Sequence, residues 1–157
     1  MVDDLGNLGK KIIRDRAEGK KYERLFMDRL FASGVECSRS TKMQDIYDHI
    51  DVMDENGRTY DVKGYKGDRF VWLEFMNVRG NKGWMKGRAT HIAFYLNEKF
   101  YVVDRQELLK WAEENLPNIP PQYDKSKFYT PYRRKGRRDI LIKVKVEDVT
   151  KLAIIVL

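Results

Sequence analysis

A single cysteine, Cys37, stands in a chain of 157 residues, which excludes an internal disulfide and any cysteine-based zinc site. One free thiol fits a reducing compartment. Long apolar runs are also missing. The longest, Leu152 to Leu157, falls far short of the roughly 20 residues that cross a bilayer and reads as a buried strand. The opening stretch, MVDDLGNLGKKIIRD, lacks the apolar segment of a secretory signal. These lacks place the protein in the cytoplasm with no membrane partner, or on the nucleoid where it meets DNA. No repeat, low-complexity tract or linker divides the chain, so residues 1–157 read as one domain.

Acidic residues are the scarcer charge. Lysine and arginine number 31 against 24 aspartates and glutamates, a net charge of +7. That excess favours a polyanionic partner, most often nucleic acid. With 42% apolar and 35% charged residues, the composition is that of a soluble globular protein.

Between about Glu18 and Ala32, the residues Tyr22, Leu25, Phe26, Leu30 and Phe31 recur at helical spacing, and Ser33-Gly34 follows as a stop. A polar stretch leads to a run of strand signals: HIDVMD, RTYDVKGY, RFVWLEFM, THIAFYL and KFYVV. Each is rich in β-branched and aromatic residues and bounded by turn formers. The glycine-rich, basic NVRGNKGWMKGRA between the third and fourth predicts a loop with a brief helix. Arg105 to Asn115 predicts a second helix with Asp104 as its N-cap and an apolar face of Leu108, Leu109 and Trp111. Pro117, Pro120 and Pro121 impose an irregular segment to about Pro131. A basic cluster, a strand at Ile140 to Val146 and a last strand complete the chain. The aromatics Tyr95, Phe100, Tyr101 and Trp111 read as core, and His91 has no assigned role.

The segment His49 to Lys63 carries the chemistry. Asp54-Glu-Asn-Gly57 suits a type I turn with Gly57 as the left-handed residue of a bulge. That register sets Asp54 opposite Arg58, Asp51 opposite Asp61 and His49 opposite Lys63, with partners roughly 5 Å apart at Cβ. A second tight turn at Gly67-Asp68 would pair Lys66 with Arg69, bringing Asp61 opposite Glu74 and Lys63 opposite Trp72. Three carboxylates would then lie in a row beside one lysine. Like charges so placed are unfavourable, and a hard divalent cation resolves the conflict. Mg²⁺, or equally Mn²⁺, takes such oxygen ligands and acidifies a bound water. Lys63 is placed to orient or deprotonate that water, or to offset charge building on phosphorus. Glu74, in the otherwise apolar strand Phe70 to Met76, needs a nearby cation in any case.

Asp51, then Asp61-Val62-Lys63 after a hairpin, with Glu23 on the preceding helix, resembles the PD-(D/E)xK nuclease superfamily. The resemblance covers about two thirds of the chain. It implies an α/β restriction-endonuclease-like fold with a mixed sheet and an αβββαβ core over about residues 18–116, followed by a basic, strand-rich extension over about 117–157. It further implies that Asp51 and Asp61 bind metal, that Lys63 assists catalysis and that Glu23 supports the site. Ile50 stands where the motif proline would be, and Asp48 rivals Asp51 as the first aspartate. The expected ligand set is Asp51, Asp61 and Glu74.

Two basic sets complete the picture. Lys66 precedes them, and Arg79, Lys82, Lys86 and Arg88 interleave with glycines and Trp84, a candidate to stack on a base. Arg133, Arg134, Lys135, Arg137 and Arg138 form the densest positive stretch, suited to backbone phosphates. The expected function is a Mg²⁺-dependent endodeoxyribonuclease acting on duplex or branched DNA, with a homodimer among the arrangements the resemblance implies. A catalytically inactive nucleic-acid-binding protein of the same fold and an RNA-directed nuclease are the alternatives.

Overall fold

A computed structural model describes the backbone of residues 2–65, 67 and 69–157, and side chains from residue 17 onward with 66 and 68 again excepted. The fold is mixed α/β. Its strands are β1 (Cys37–Arg39), β2 (Val52–Asp54), β3 (Thr59–Gly64), β4 (Phe70–Met76), β5 (His91–Leu96), β6 (Lys99–Asp104), β7 (Pro131–Tyr132), β8 (Ile140–Lys145) and β9 (Ile155–Val156). The helices are α1 (Val2–Ala32), α2 (Arg105–Asn115) and α3 (Val146–Thr150). Six strands form one sheet in the order β1-β2-β3-β5-β6-β9, and three form a second in the order β4-β8-β7.

The helix read from Glu18 onward extends back to Val2. Its stop is as expected: Gly34 takes φ 82°, and the Val35 amide donates to the Leu30 carbonyl, capping carbonyls that lack a helical partner. Phe26 and Leu30, four residues apart on one face, are buried against Tyr60, Ala93, Phe100 and Val102 of the large sheet. Full burial of each such side chain contributes roughly 1.5–3 kcal/mol. Phe31, expected on that face, is instead exposed. The opposite face of the sheet, through Ile92, Phe94 and Val103, packs on Val71, Leu73, Ile142 and Val144 of the second sheet and on Leu108 of α2. As expected, α2 is capped by Asp104, whose carboxylate accepts from the Glu107 amide at 3.0 Å.

Two expectations are corrected by long-range pairing. β4 does not follow β3 in one sheet. The free edge of β3 is taken by β5, in parallel, with Asp61 beside Ile92 and Lys63 beside Phe94. The third strand of the antiparallel meander lies earlier in the chain instead, at β1, in the stretch read as merely polar. Residues beyond 117 are strand-rich as expected, with β7 and β8 joining β4 in the second sheet and β9 pairing with β6. The apolar C-terminal run forms only the short β9, and Ile154 and Val156 face solvent because the strand lies at a sheet edge.

Candidate active site

The β2–β3 hairpin closes as its turn chemistry dictates. The Asp54 amide donates to the Arg58 carbonyl at 2.9 Å, and Gly57 takes φ 84°. The register Val52↔Tyr60, carried one residue further, sets Asp51 against Asp61. Asp51 also folds back on the hairpin, its Oδ2 accepting from the Val62 amide at 2.7 Å. Asp48, the rival aspartate, is turned away toward Arg88, so Asp51 is the one that joins the cluster. His49 leaves the ladder. It ends a π-helical turn, Gln44–Asp48, at φ 54°, and its Nε2 meets the Lys82 carbonyl at 3.3 Å rather than standing opposite Lys63.

Asp61 is 2% exposed, and its Oδ2 has no hydrogen-bond partner. Its Oδ1 pairs with the Lys63 ammonium at 2.9 Å. Burial raises the Asp61 pKa against the pull of that lysine. For Lys63 burial acts downward, but the charges of Asp61 and Asp51, with a smaller contribution from Glu74, outweigh it and hold the ammonium protonated. The Lys63 ammonium also sits 5.0 Å from the Trp84 ring centre.

Asp51 is raised by burial and by the charge of Asp61. Glu23 reaches the same spot from α1, its carboxylate held by Arg39 at 3.0 Å. Burial, then the charge of Asp51, pushes its pKa up to about 7. α1 comes close enough for this because β3 ends in Gly64: a Cβ there would run into the Tyr22 ring.

Sequence reasoning missed Asp45. It lies on the π-helical turn, contacts Asp51, and is pushed to about 6 by burial and that neighbour. The local signal was present in Thr41 and Gln44, whose side chains reciprocally cap each other's backbone amides. It also missed that Asp45, Glu23 and Asp51 open on a cleft of about 670 Å³ rimmed by Lys20, Arg39 and Lys42.

Several expected residues stand elsewhere. Glu74 is not in line with Asp61; it pairs with Leu141 on β8, because β4 belongs to the second sheet, and its link to the site is electrostatic, through Lys63. Trp84 cannot stack on a base, being 6% exposed within the core, where it packs on Phe94. Arg134 is tied to the fully buried Asp139 at 2.6 Å, which leaves it ordering the loop rather than free for phosphate. Arg133 likewise donates to the Asp139 carbonyl. Lys66, with Asp68, lies outside the described residues.

Arg79, Lys82, Lys86, Arg88, Lys135, Arg137 and Arg138 are exposed. The fold brings the two basic sets together, since the Arg138 amide donates to the Val78 carbonyl and its side chain runs beside Gly80. The same loop reaches the acidic segment, with the Arg88 amide donating to the Asp48 carbonyl.

Among the described residues, no three of histidine, cysteine, aspartate and glutamate gather as a metal-binding group. Asp61 Oδ1 is engaged by Lys63 and Asp51 Oδ2 by a backbone amide, so the cluster offers two carboxylates, hard oxygen donors, one with a bare buried atom. That donor set fits Mg²⁺, which is usually held by one or two carboxylates and keeps water and phosphate for the rest. Among the described residues, no helix is long and apolar enough to cross a membrane. No family model matches the chain, and neither does any curated protein or solved structure.

Proposed function

We propose that this protein is a metal-dependent nuclease of the restriction-endonuclease-like type that hydrolyses phosphodiester bonds in DNA. The observation that carries the reading is Asp61: a carboxylate buried with one oxygen bare, set against Asp51 and bonded to Lys63. Leaving a buried acceptor unsatisfied costs about 1–3 kcal/mol, and a second carboxylate beside it adds repulsion. A cation removes both penalties. α1 followed by the meander β1-β2-β3 and the parallel strand β5 supports the same reading.

Asp51 and Asp61 would hold Mg²⁺, or Mn²⁺. When bound, the ion polarises a phosphoryl oxygen and acidifies water. Lys63, held protonated, is suited to stabilise charge on the phosphate rather than to accept a proton. Glu23, with a pKa of about 7, lies where a carboxylate can take a proton from an attacking water at neutral pH. Arg39 would keep that carboxylate oriented. The exposed arginines and lysines of the joined basic loops suit backbone phosphates, which fix position without reading sequence.

The test is supercoiled plasmid with Mg²⁺ or chelator, using wild-type protein and Lys63→Ala. Mg²⁺-dependent nicking by the wild type, lowered about a hundredfold in the variant, is the expected result. Plasmid bound but uncut by the wild type would leave a nucleic-acid-binding protein, and cleavage confined to RNA would overturn the DNA assignment.

A further inference from the structure

The outward face of the second sheet carries an arrangement that the carboxylate site does not use. β4 alternates, so Val71 and Leu73 enter the core while Phe70 and Trp72 turn away from it. The pairings Phe70↔Lys145, Trp72↔Lys143 and Tyr132↔Leu141 place Phe70, Trp72, Lys143, Lys145 and Tyr132 on one face. Phe128, from the irregular segment, closes over them. The rings contact one another, with centroids 6.1 Å apart for Phe70 and Trp72, 6.2 Å for Phe70 and Phe128, and 5.4 Å for Trp72 and Tyr132.

At their centre lies the Lys143 ammonium, 4.7 Å from the Phe70 ring centre, 5.1 Å from Phe128 and 5.2 Å from Trp72. Lys143 is 8% exposed, yet among the described residues it has no carboxylate within ion-pair distance. An apolar side chain would cover the same rings without the cost of desolvating a charge. The ammonium therefore gives this aromatic face a positive charge with no contacting carboxylate among the described residues, Asp124 acting on it only through the field. Phe70 and Phe128 each remain 38% exposed, so ring surface is still open to a partner.

We infer that this face binds a single-stranded segment of nucleic acid, its unstacked bases lying on Phe70, Trp72 and Phe128 and its phosphates meeting Lys143 and Lys145. Aromatic faces and cations side by side are what an unpaired strand requires, because every base has a π-face and every linkage a charge. A duplex hides its base faces and gains little there. The strand that carries Trp72 is also tied to the segment that carries Lys63. The Tyr65 hydroxyl donates to the Trp72 carbonyl at 3.1 Å, and Tyr65 stands two residues beyond Lys63 on the same chain segment. Under the nuclease reading, on which this consequence rests, the substrate is DNA with a single-stranded flap, end or gap.

Binding is measured in chelator, where cleavage plays no part, with an oligothymidylate of about twenty nucleotides and with a matched duplex. Trp72→Ala and Phe128→Ser should each weaken single-strand binding about tenfold and change duplex binding less than about twofold. Phe128 lies outside the regular strands, so its variant keeps the test valid should Trp72→Ala fail to fold. Polyglutamate should not compete, and an oligouridylate run in parallel separates DNA from RNA. Unchanged single-strand binding in Phe128→Ser, or competition by polyglutamate equal to that of the oligonucleotide, overturns the inference. If the wild type never cuts but these variants lose the single strand, the nuclease reading falls and this face stands.

Discussion

In the six-stranded sheet Asp61 is buried with Lys63 at 2.9 Å and one oxygen bare. In the three-stranded sheet Lys143 is buried among three rings and, among the described residues, has no carboxylate within ion-pair distance. The first region gathers carboxylates whose pKa values all rise through loss of water, complete only at Asp61, and through one another's charge. A bound cation would relieve that crowding. The second sets its ammonium against ring quadrupoles, and under the inference above it would receive an anion. Under the proposed reading the two demands would meet in one polymer, whose phosphates would bring cations to the first and whose bases and charge would suit the second.

The comparison is broken or sharpened by four measurements beside the plasmid test. The largest effect is expected for Asp61→Asn, which should reduce Mg²⁺-dependent plasmid nicking about a thousandfold while gel-shift binding in chelator persists. Loss of binding along with cleavage would make Asp61 structural, and erase the contrast with Lys143.

Gly64→Ala should come next. Its Cβ would press on Tyr22, which packs on Tyr95 and precedes Glu23. Overpacking of this kind costs roughly 1–3 kcal/mol, read from the denaturant midpoint. An unchanged midpoint would mean that α1 can move off β3 freely, and that Glu23 is not fixed in the cluster.

The pH dependence of stability is smaller and has a definite sign. Glu23 is raised from 4.5 to about 7 and Asp45 from 3.8 to about 6, so the folded chain binds more protons than the unfolded one between those values. The stability they contribute is present below the unfolded pKa values and is lost as pH rises through about 6 and about 7. For the largely shielded Glu23 the loss is on the order of 2 kcal/mol. Denaturant midpoints in chelator should fall from pH 5 to pH 8, and Mg²⁺ should restore the midpoint at pH 8. A flat profile would mean that the carboxylates do not crowd one another.

The smallest effect is expected of Lys143→Met. Replacing a buried charge by an apolar side chain of similar volume should leave the denaturant midpoint within about 1 kcal/mol. A much larger loss would make Lys143 a structural post like Asp139, which is fully buried and holds Arg134.

Glu74 and Asp51 show where reading the chain alone reaches its limit. Asp51 was placed through a four-residue turn, Asp54 to Gly57, whose residue types specify its geometry, and two-by-two counting then runs without error to Asp61. Glu74 was placed by the same counting across Gly67-Asp68, yet β3 found its neighbour in β5, far along the chain. Trp84 failed for a related reason: the loop and brief helix read there suggested an exposed ring, but Phe94 and Lys63 enclose it.

The sequence by itself determined the capped helix α2, the stop of α1, the β2–β3 hairpin and with it the apposition of Asp51, Asp61 and Lys63. Each depends on contacts within a few residues, where backbone propensity and turn chemistry act alone. Only the tertiary structure decided that Asp45 and Glu23 converge on Asp51, that Glu74 stands apart, that the two basic loops adjoin, and that three aromatics surround Lys143. Those depend on which strand edges pair across long stretches of chain, and that choice is made by burial of whole faces rather than by any local signal.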